Sequence, residues 1–392
     1  MSLTDQLQPL FERLPEDKRA ARRAFWDRLV AEGFPGTKHE RWRFTDLAGA
    51  VAEPPTSPGP AQIELPSFEG LRRVGFINGH TQSVDDRERL EAPATSVSDP
   101  SDLVNAALAA SGLQWQPEGD DTALHLCTRS TEGSVHLRHR IHVPTGAHAV
   151  LYWDDLAETD ADFGTQTLEI QLDDNARLDV ARSHLNNAGG PQLLRSEARL
   201  AAGATLNMTG FDAGSGLSRH NLQIMLDAPG ARVLLNGVYA PFAKGHIDTF
   251  ASVDHASRET VSRMHFRGLG MEKGTGLLTG RVHVHRDAQR ADSDQQLAGL
   301  LLSPKARINA KPELEIYADD VVCAHGNAIG QIDENALHYL QTRGIDRATA
   351  RAMLISGFAA ETLAFPANEG AHADLLKALD NALQHADWSE TP

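Results

Sequence analysis

The chain of 392 residues holds two cysteines, Cys127 and Cys323. Two thiols are too few for a disulfide framework and suit a reducing compartment, where such a residue is more often buried filler than chemistry. Positive charge is also in short supply: 37 Lys and Arg stand against 53 Asp and Glu, for a formal charge of -16. That balance gives no sequence-independent hold on nucleic acid or anionic lipid, and excludes both as expected partners. Long apolar runs are missing too. The first residues, "MSLTDQLQPLFERLPEDK", contain no apolar core of signal-peptide length, and nothing later approaches the roughly 20 apolar residues of a membrane span. The expected compartment is the cytoplasm.

Several motifs of catalysis are absent as well. "GLGMEKGTG" (268–276) contains neither G-x-x-x-x-G-K-[ST] nor G-x-G-x-x-G. No phosphate cradle is specified, so ATP, if it matters, must be bound by a partner. There is no H-E-x-x-H or C-x-x-C zinc pattern and no G-x-S-x-G elbow. What is present is an ordinary globular composition, 41% hydrophobic, in a chain long enough for two or three domains.

The first 50 residues predict helix: Pro15 suits a first turn, Ala20, Ala24, Leu29 and Val30 supply apolar faces, and Gly33 with Pro35-Gly36 supplies a stop. "AEPPTSPGPAQIELP" (52–66) reads as an extended surface linker. The middle of the chain then repeats itself. "RIHVPTGAHAV" (140–150), "EIQLDDNARLDV" (169–180), "EARLAAGATLNM" (197–208) and "QIMLDAPGARVLL" (223–235) share one plan: a short alternating strand, a turn rich in Gly, Asn, Asp or Pro, an Ala, and a second strand. Ile141, Ile170, Ala198 and Ile224 occupy the same place in it at spacings of 29, 28 and 26 residues. Such a period with no helix in the repeat predicts a β-solenoid, in which each coil buries its inward residues against the next. Weaker matches carry the stacking to about residue 325. The rival, an antiparallel sandwich, does not require the regular period. From Asp333 onward "DENALHYLQTRG", "DRATARAMLISGFAAETLAF" and "HADLLKALDNALQHA" read as three helices. The expected organisation is a mixed, mainly helical region with linker (1–130), a solenoid core (131–330) and a helical end piece (331–392). That end piece is expected to cap the solenoid or offer a docking surface, and to be separable from it.

Three sets of side chains could carry chemistry. His136, His139 and His142 cluster before the first clear repeat, and His283 and His285 share a face if "RVHVHRD" is a strand, although spacing identifies no third ligand. The third set lies in "KPELEIYADDVVCAHGNAIGQID" (311–333), where Cys323 and His325 point the same way on extended backbone. Such a pair could share a metal ion, form a nucleophile and base, or merely pack. Asp319 and Asp320 would raise the thiol pKa, which disfavours nucleophilic catalysis and suits a cation.

The same stretch carries a resemblance. "PELEIYADDVVCAHGNAIGQID" running into "LHYLQTRGI" and "MLISGFAAE", supported by "GFPGTKHERWRFTDL", "FING", "HFRGLG", "GLLTGRVHV" and "LAGLLLSPKARINAKPEL", resembles the SufB/SufD family of the SUF iron-sulphur cluster assembly system. The Cys-x-His-Gly form is that of the SufD branch; SufB proteins carry a cluster-building cysteine in a Glu-Cys setting. The resemblance implies a right-handed parallel β-helix flanked by N-terminal and C-terminal helical regions. It implies a non-enzymatic subunit working with a SufB-like paralogue and with a SufC-like ABC ATPase docked on the C-terminal helices, and a transient iron-sulphur cluster built near the paralogue interface. His325 matches the family residue implicated in cluster or iron handling, and Cys323 its neighbouring cysteine. Ala324 and "GNAIG" stand where the family often has Ser and "GATVG". Cluster type, iron donor, any flavin requirement and self-pairing of the isolated chain are left open. A β-helix carbohydrate-active enzyme is the alternative; it calls for carboxylates clustered along one groove, where the sequence offers scattered acids.

Overall fold

The computed structural model describes residues 2–51, 54–82, 97 and 100–385. The chain opens with helices α1 (Leu3–Glu12), α2 (Glu16–Glu32) and the single turn α3 (Leu47–Ala50). Ser2 caps α1 through a reciprocal pair of bonds with Asp5, and Gly33 ends α2 at φ 68°. Of the linker, residues 54–66 run without regular structure, while Ala52 and Glu53 lie outside the described residues. Strands β1 (Arg72–Ile77) and β2 (His80–Thr81) form a hairpin, and α4 (Pro100–Leu108) packs between α2 and the strands that follow.

The remaining strands alternate between two facing sheets. They are β3 (Gln114–Trp115), β4 (Ala123–Gly133), β5 (His136–Val143), β6 (His148–Ala161), β7 (Gly164–Leu172), β8 (Arg177–Asn186), β9 (Gln192–Leu200) and β10 (Thr205–Gly214), then β11 (Leu217–Leu226), β12 (Arg232–Pro241), β13 (His246–His255), β14 (Val261–Gly270), β15 (Thr275–Val284), β16 (Asp292–Leu301), β17 (Arg307–Ile316) and β18 (Val322–Gly330). Even-numbered strands from β18 to β4, followed by β1 and β2, make one sheet; odd-numbered strands from β17 to β3 make the other. Apart from the β1–β2 hairpin, the pairings within both sheets are parallel, so the fold is a parallel β-solenoid of about seven turns with helices flanking it. The sandwich reading fails on that point.

The repeat is visible in the register. Ile141, Ile170, Ala198 and Ile224 stand in one row across the odd sheet, continued by Val253, Val282 and Leu314. All but Leu314, which is half-buried at the last coil, are buried between the sheets. The corner from odd to even strand is equally regular. Gly146, Asn175, Gly203, Gly230, Glu259 and Arg290 occupy it in successive coils with φ between 57° and 73°. Turning the chain there takes one left-handed residue, which explains the Gly and Asn of the repeat plan. The next residue, Ala176, Ala204, Ala231, Thr260 or Ala291, is buried, and only a small side chain fits inside the bend.

The C-terminal helices α5 (Glu334–Thr342), α6 (Arg347–Ala360) and α7 (Glu369–His385) do not close the end of the stack. α6, α7 and the segment between them lie across the outer face of the even sheet, where Ile355, Ala359, Leu363, Phe365, Leu375 and Leu379 cover Phe211, Val238, Leu269 and Met271, and α5 packs on α6. Tyr152 donates its hydroxyl to Asp374 at the same seam. The reason is in the strands: outward positions of β10, β12 and β14 are apolar there, and an apolar sheet face must be covered.

Candidate functional site

Because the helices lie on a face, the last coil is left open. β17 and β18 end their sheets, and among the described residues neither has a further strand beside it. The parallel register sets Ser293 beside Cys323 and Gln295 beside His325. Ser293 and Gln295 are buried between the sheets, so Cys323 and His325 share the inward face of a strand that no further coil covers. Cys323 is half-buried and packs, as Leu314 and Val321 do, against the cluster of Val282, Val284, Ala288, Ala291 and Ala318, and His325 is exposed. Asn327, next on that face, donates to the Ala310 carbonyl at 2.7 Å and ties β18 back to β17. The coil also exposes Val322, Ile329, Ile316 and Tyr317, with Val322 69% accessible.

Burial pushes the Cys323 thiol up, and Asp292 on the neighbouring strand adds to it, against a lowering by the Ser293 backbone N–H. The direction is the one expected from the sequence. The acids responsible are not Asp319 and Asp320, because the adjacent coil brings Asp292 closer in effect than chain neighbours do. Among the described residues, no third His, Cys, Asp or Glu of this chain closes with Cys323 and His325 into a three-ligand group.

The histidines sort differently from their spacing. His139 is buried in the inter-sheet core, where its Nδ1 accepts from the Leu113 N–H at 3.2 Å. His136 bonds Ser134 and Thr165, and His142 bonds Gln116 and Asp173, so the three do not converge. His283 and His285 do converge, with ring centroids 4.2 Å apart, and Asp254 of the preceding coil joins them. Asp254 is the direct cross-strand partner of His283, one coil earlier in the sequence; the repeat period was the signal that could have found it. A second group went unnoticed in the sequence: His125 and Cys127 on β4 with Asp154 on β6, all buried. There Arg129 already holds the Asp154 carboxylate, and burial pushes the Cys127 thiol up to about 12. That set is an inert polar core.

Burial also holds three core imidazoles neutral: His139 and His255 are each pushed down to about 4, and His220 falls well below its ordinary value. His255 is satisfied by Thr260 and Ser262, and His220 by Ser196. Above pH about 6.5 both folded and unfolded chains carry neutral imidazoles, so nothing is lost; below it the unfolded chain binds protons that the native one refuses. Stability should therefore fall as pH drops from 6.5 towards 4, by on the order of 1–2 kcal/mol per buried histidine at pH 5. Urea midpoints at pH 7.5 and 5 measure this, and His139→Gln should flatten the slope. Equal midpoints at the two pH values would contradict the assignment.

The motif "GFPGTKHERWRFTDL" proves to be a clamp. Arg219 lies over the Trp42 ring at 4.2 Å, Arg41 lies over Phe250 at 4.8 Å, and Thr45 donates to Asp248 at 2.5 Å. It walls one side of a cleft of about 510 Å3 on the outer face of the odd sheet. Many carboxylates on that face are held by arginines, Glu169 by Arg138 and Arg140, Asp248 by Arg219 and Glu315 by Arg281. A glycosidase needs one carboxyl free as acid and a second free as base or nucleophile.

Comparison with known proteins identifies the family. Residues 126–358 match the family described as SUF system FeS cluster assembly, SufBD core domain. The chain is 26% identical over 384 residues to the iron-sulfur cluster assembly protein SufD of Escherichia coli, covering 91% of this chain and 90% of that one. It is 24% identical over 384 residues to an iron-sulfur cluster assembly SufBD family protein of Synechocystis, with 86% and 85% covered. A chloroplastic protein of Arabidopsis thaliana, ABCI7, is 32% identical over 205 residues, or 52% of this chain and 43% of that one. The chain belongs to the SufBD family of the SUF iron-sulphur cluster assembly system. Among the described residues no helix is long and apolar enough to cross a membrane.

Proposed function

We propose that the chain is a non-catalytic scaffold subunit of a cytoplasmic cluster-assembly complex, acting with a SufB-like paralogue and a SufC-like ABC ATPase. Its cargo is the nascent cluster or its iron, received at His325 with Cys323 beside it. The observation that carries this reading is the open last coil, where an exposed imidazole stands on a strand whose outer edge has no neighbour among the described residues, flanked by exposed apolar side chains. An edge of this kind is a template for another chain, and a lone histidine needs further ligands from whatever pairs with it. Family membership and the similarity to a SufD protein support the choice of partner.

Co-expression with a SufB-like paralogue and an ATPase tests it. The wild-type chain should co-purify with both, and the Val322→Asp/Ile329→Asp double variant should lose the paralogue while staying folded, since both side chains are solvent-exposed. Retention of the paralogue by that variant would remove the last coil as the interface. Pairing of the chain only with a second copy of itself would replace the paralogue by a homodimer.

A further inference from the structure

We propose that Asp254, His283 and His285 form a binding site for one divalent first-row transition metal ion on the outer face of the odd sheet, separate from the last-coil pair. Asp254 Oδ1 lies 2.9 Å from His283 Nδ1 and 3.7 Å from His285 Nε2. Metal–ligand bonds of about 2.1 Å at angles between octahedral and tetrahedral place neighbouring donor atoms about 3.0–3.4 Å apart. Both distances from the carboxylate oxygen thus stand within a few tenths of an ångström of that range before any ion enters, and the three donor atoms all lie within 4.8 Å of one another.

The frame holding them is rigid. Asp254 and His283 are paired residues on adjacent parallel strands, and His285 follows directly after β15 with its backbone N–H bonded to the His255 carbonyl at 3.0 Å. Ser252 donates to the other carboxylate oxygen, Oδ2, at 3.4 Å, and the Tyr317 ring meets His283 edge-on at 5.5 Å. These contacts fix the carboxylate and one imidazole, as outer-shell partners of metal ligands do. His285 supplies the second observation. Its Nε2 is shielded from solvent and has no hydrogen-bond partner, although the carboxylate lies in front of it. Asp254 Oδ1 is hydrogen-bonded to His283 Nδ1 at 2.9 Å, and the 3.7 Å gap to His285 Nε2 is left unbridged; an ion between the three atoms would use it.

Arg281 opposes a cation there, 3.7 Å from Asp254 Oδ1. It is held by Glu315, the cross-strand neighbour of His283, through two bonds of 2.9 and 3.2 Å, so its charge is matched by a carboxylate on the adjacent strand. The His285 side chain as a whole is 42% exposed, so water or a transferring ligand can complete the coordination. Two neutral imidazoles with one carboxylate suit Fe(II), Zn(II) or Co(II), whereas Mg2+ and Ca2+ prefer all-oxygen sites. The inference does not depend on the cluster-assembly reading.

The test is anaerobic titration of the purified full-length chain with Co2+, followed by its visible absorption, then competition with Fe2+ and with Zn2+. One equivalent should bind, and either competing ion should displace it. Asp254→Asn and His285→Ala should each weaken Co2+ binding roughly tenfold or more, while His325→Ala and Cys323→Ser leave it unchanged. The metal-free thermal midpoint of each variant is measured alongside. If Asp254→Asn fails to fold, His285→Ala decides, since its half-exposed side chain supports little of the core. Absence of a Co2+ equivalent on the wild-type chain, wild-type binding by His285→Ala, or loss of binding in His325→Ala would overturn the site.

Discussion

His325→Ala, purified in complex with its partners, should carry roughly tenfold less iron and sulphide than the wild type, while the thermal midpoint of the lone chain moves by no more than about 2 °C. The asymmetry follows from position. His325 is exposed on an edge strand, and surface substitutions of that kind usually change stability by less than about 0.5 kcal/mol. A neutral imidazole ligates iron without first losing a charge-forming proton. Cys323 has to ionise against burial and against Asp292, so Cys323→Ser should have the smaller effect on cluster content. Unfolding of His325→Ala, or an unchanged cluster content, would make the motif structural.

Removing the C-terminal helices should be far more damaging than a separable end piece allows. Truncation after residue 333 uncovers Phe211, Val238, Leu269 and Met271 on the even sheet, all essentially inaccessible in the native fold. At roughly 1.5–3 kcal/mol for each exposed side chain, the loss approaches 6–12 kcal/mol, the size of a typical domain's whole stability. The truncated chain should be insoluble or bind a hydrophobic dye, and a soluble, cooperatively melting product would show that the seam contributes little. ATPase docking therefore has to be tested at the surface. Tyr339 on α5 and Met353 on α6 are 57% and 50% exposed, and replacing both by Asp should release a docked ATPase while retaining the fold.

How far this fold was legible depended on how local its determinants were. The row from Ile141 to Ile224 could be read because each coil repeats the same inward position and the same left-handed corner, and both leave periodic marks in the sequence. Cys323 and His325 could be placed on one face for the same reason, since alternation in a strand is a local property. The position of α6 and α7 was not legible. Their apolar stripes announce burial without naming the surface, and the surface is assembled from alternate residues of strands nearly 30 residues apart. Asp254 escaped for a related reason: its closeness to His283 exists only through the stacking of coils. The cause of the Cys323 shift was misplaced likewise, because Asp292 acts from the neighbouring coil and Asp319 and Asp320 only from along the chain.

The two ends of the solenoid are unequal, and this bears on stoichiometry. At the start, among the described residues, the ladders finish in β2 and β3, two residues each, with β2 running antiparallel, a poor template for another chain. At the far end they finish in β17 and β18, ten and nine residues long. Among the described residues, association through long strand edges therefore has one donor surface per chain. Two such surfaces meeting head to head satisfy each other and close the assembly at a pair, whereas two equivalent ends would permit an open fibre. A single-ended coil stack can expose a sticky, ligand-bearing edge without the hazard of polymerising.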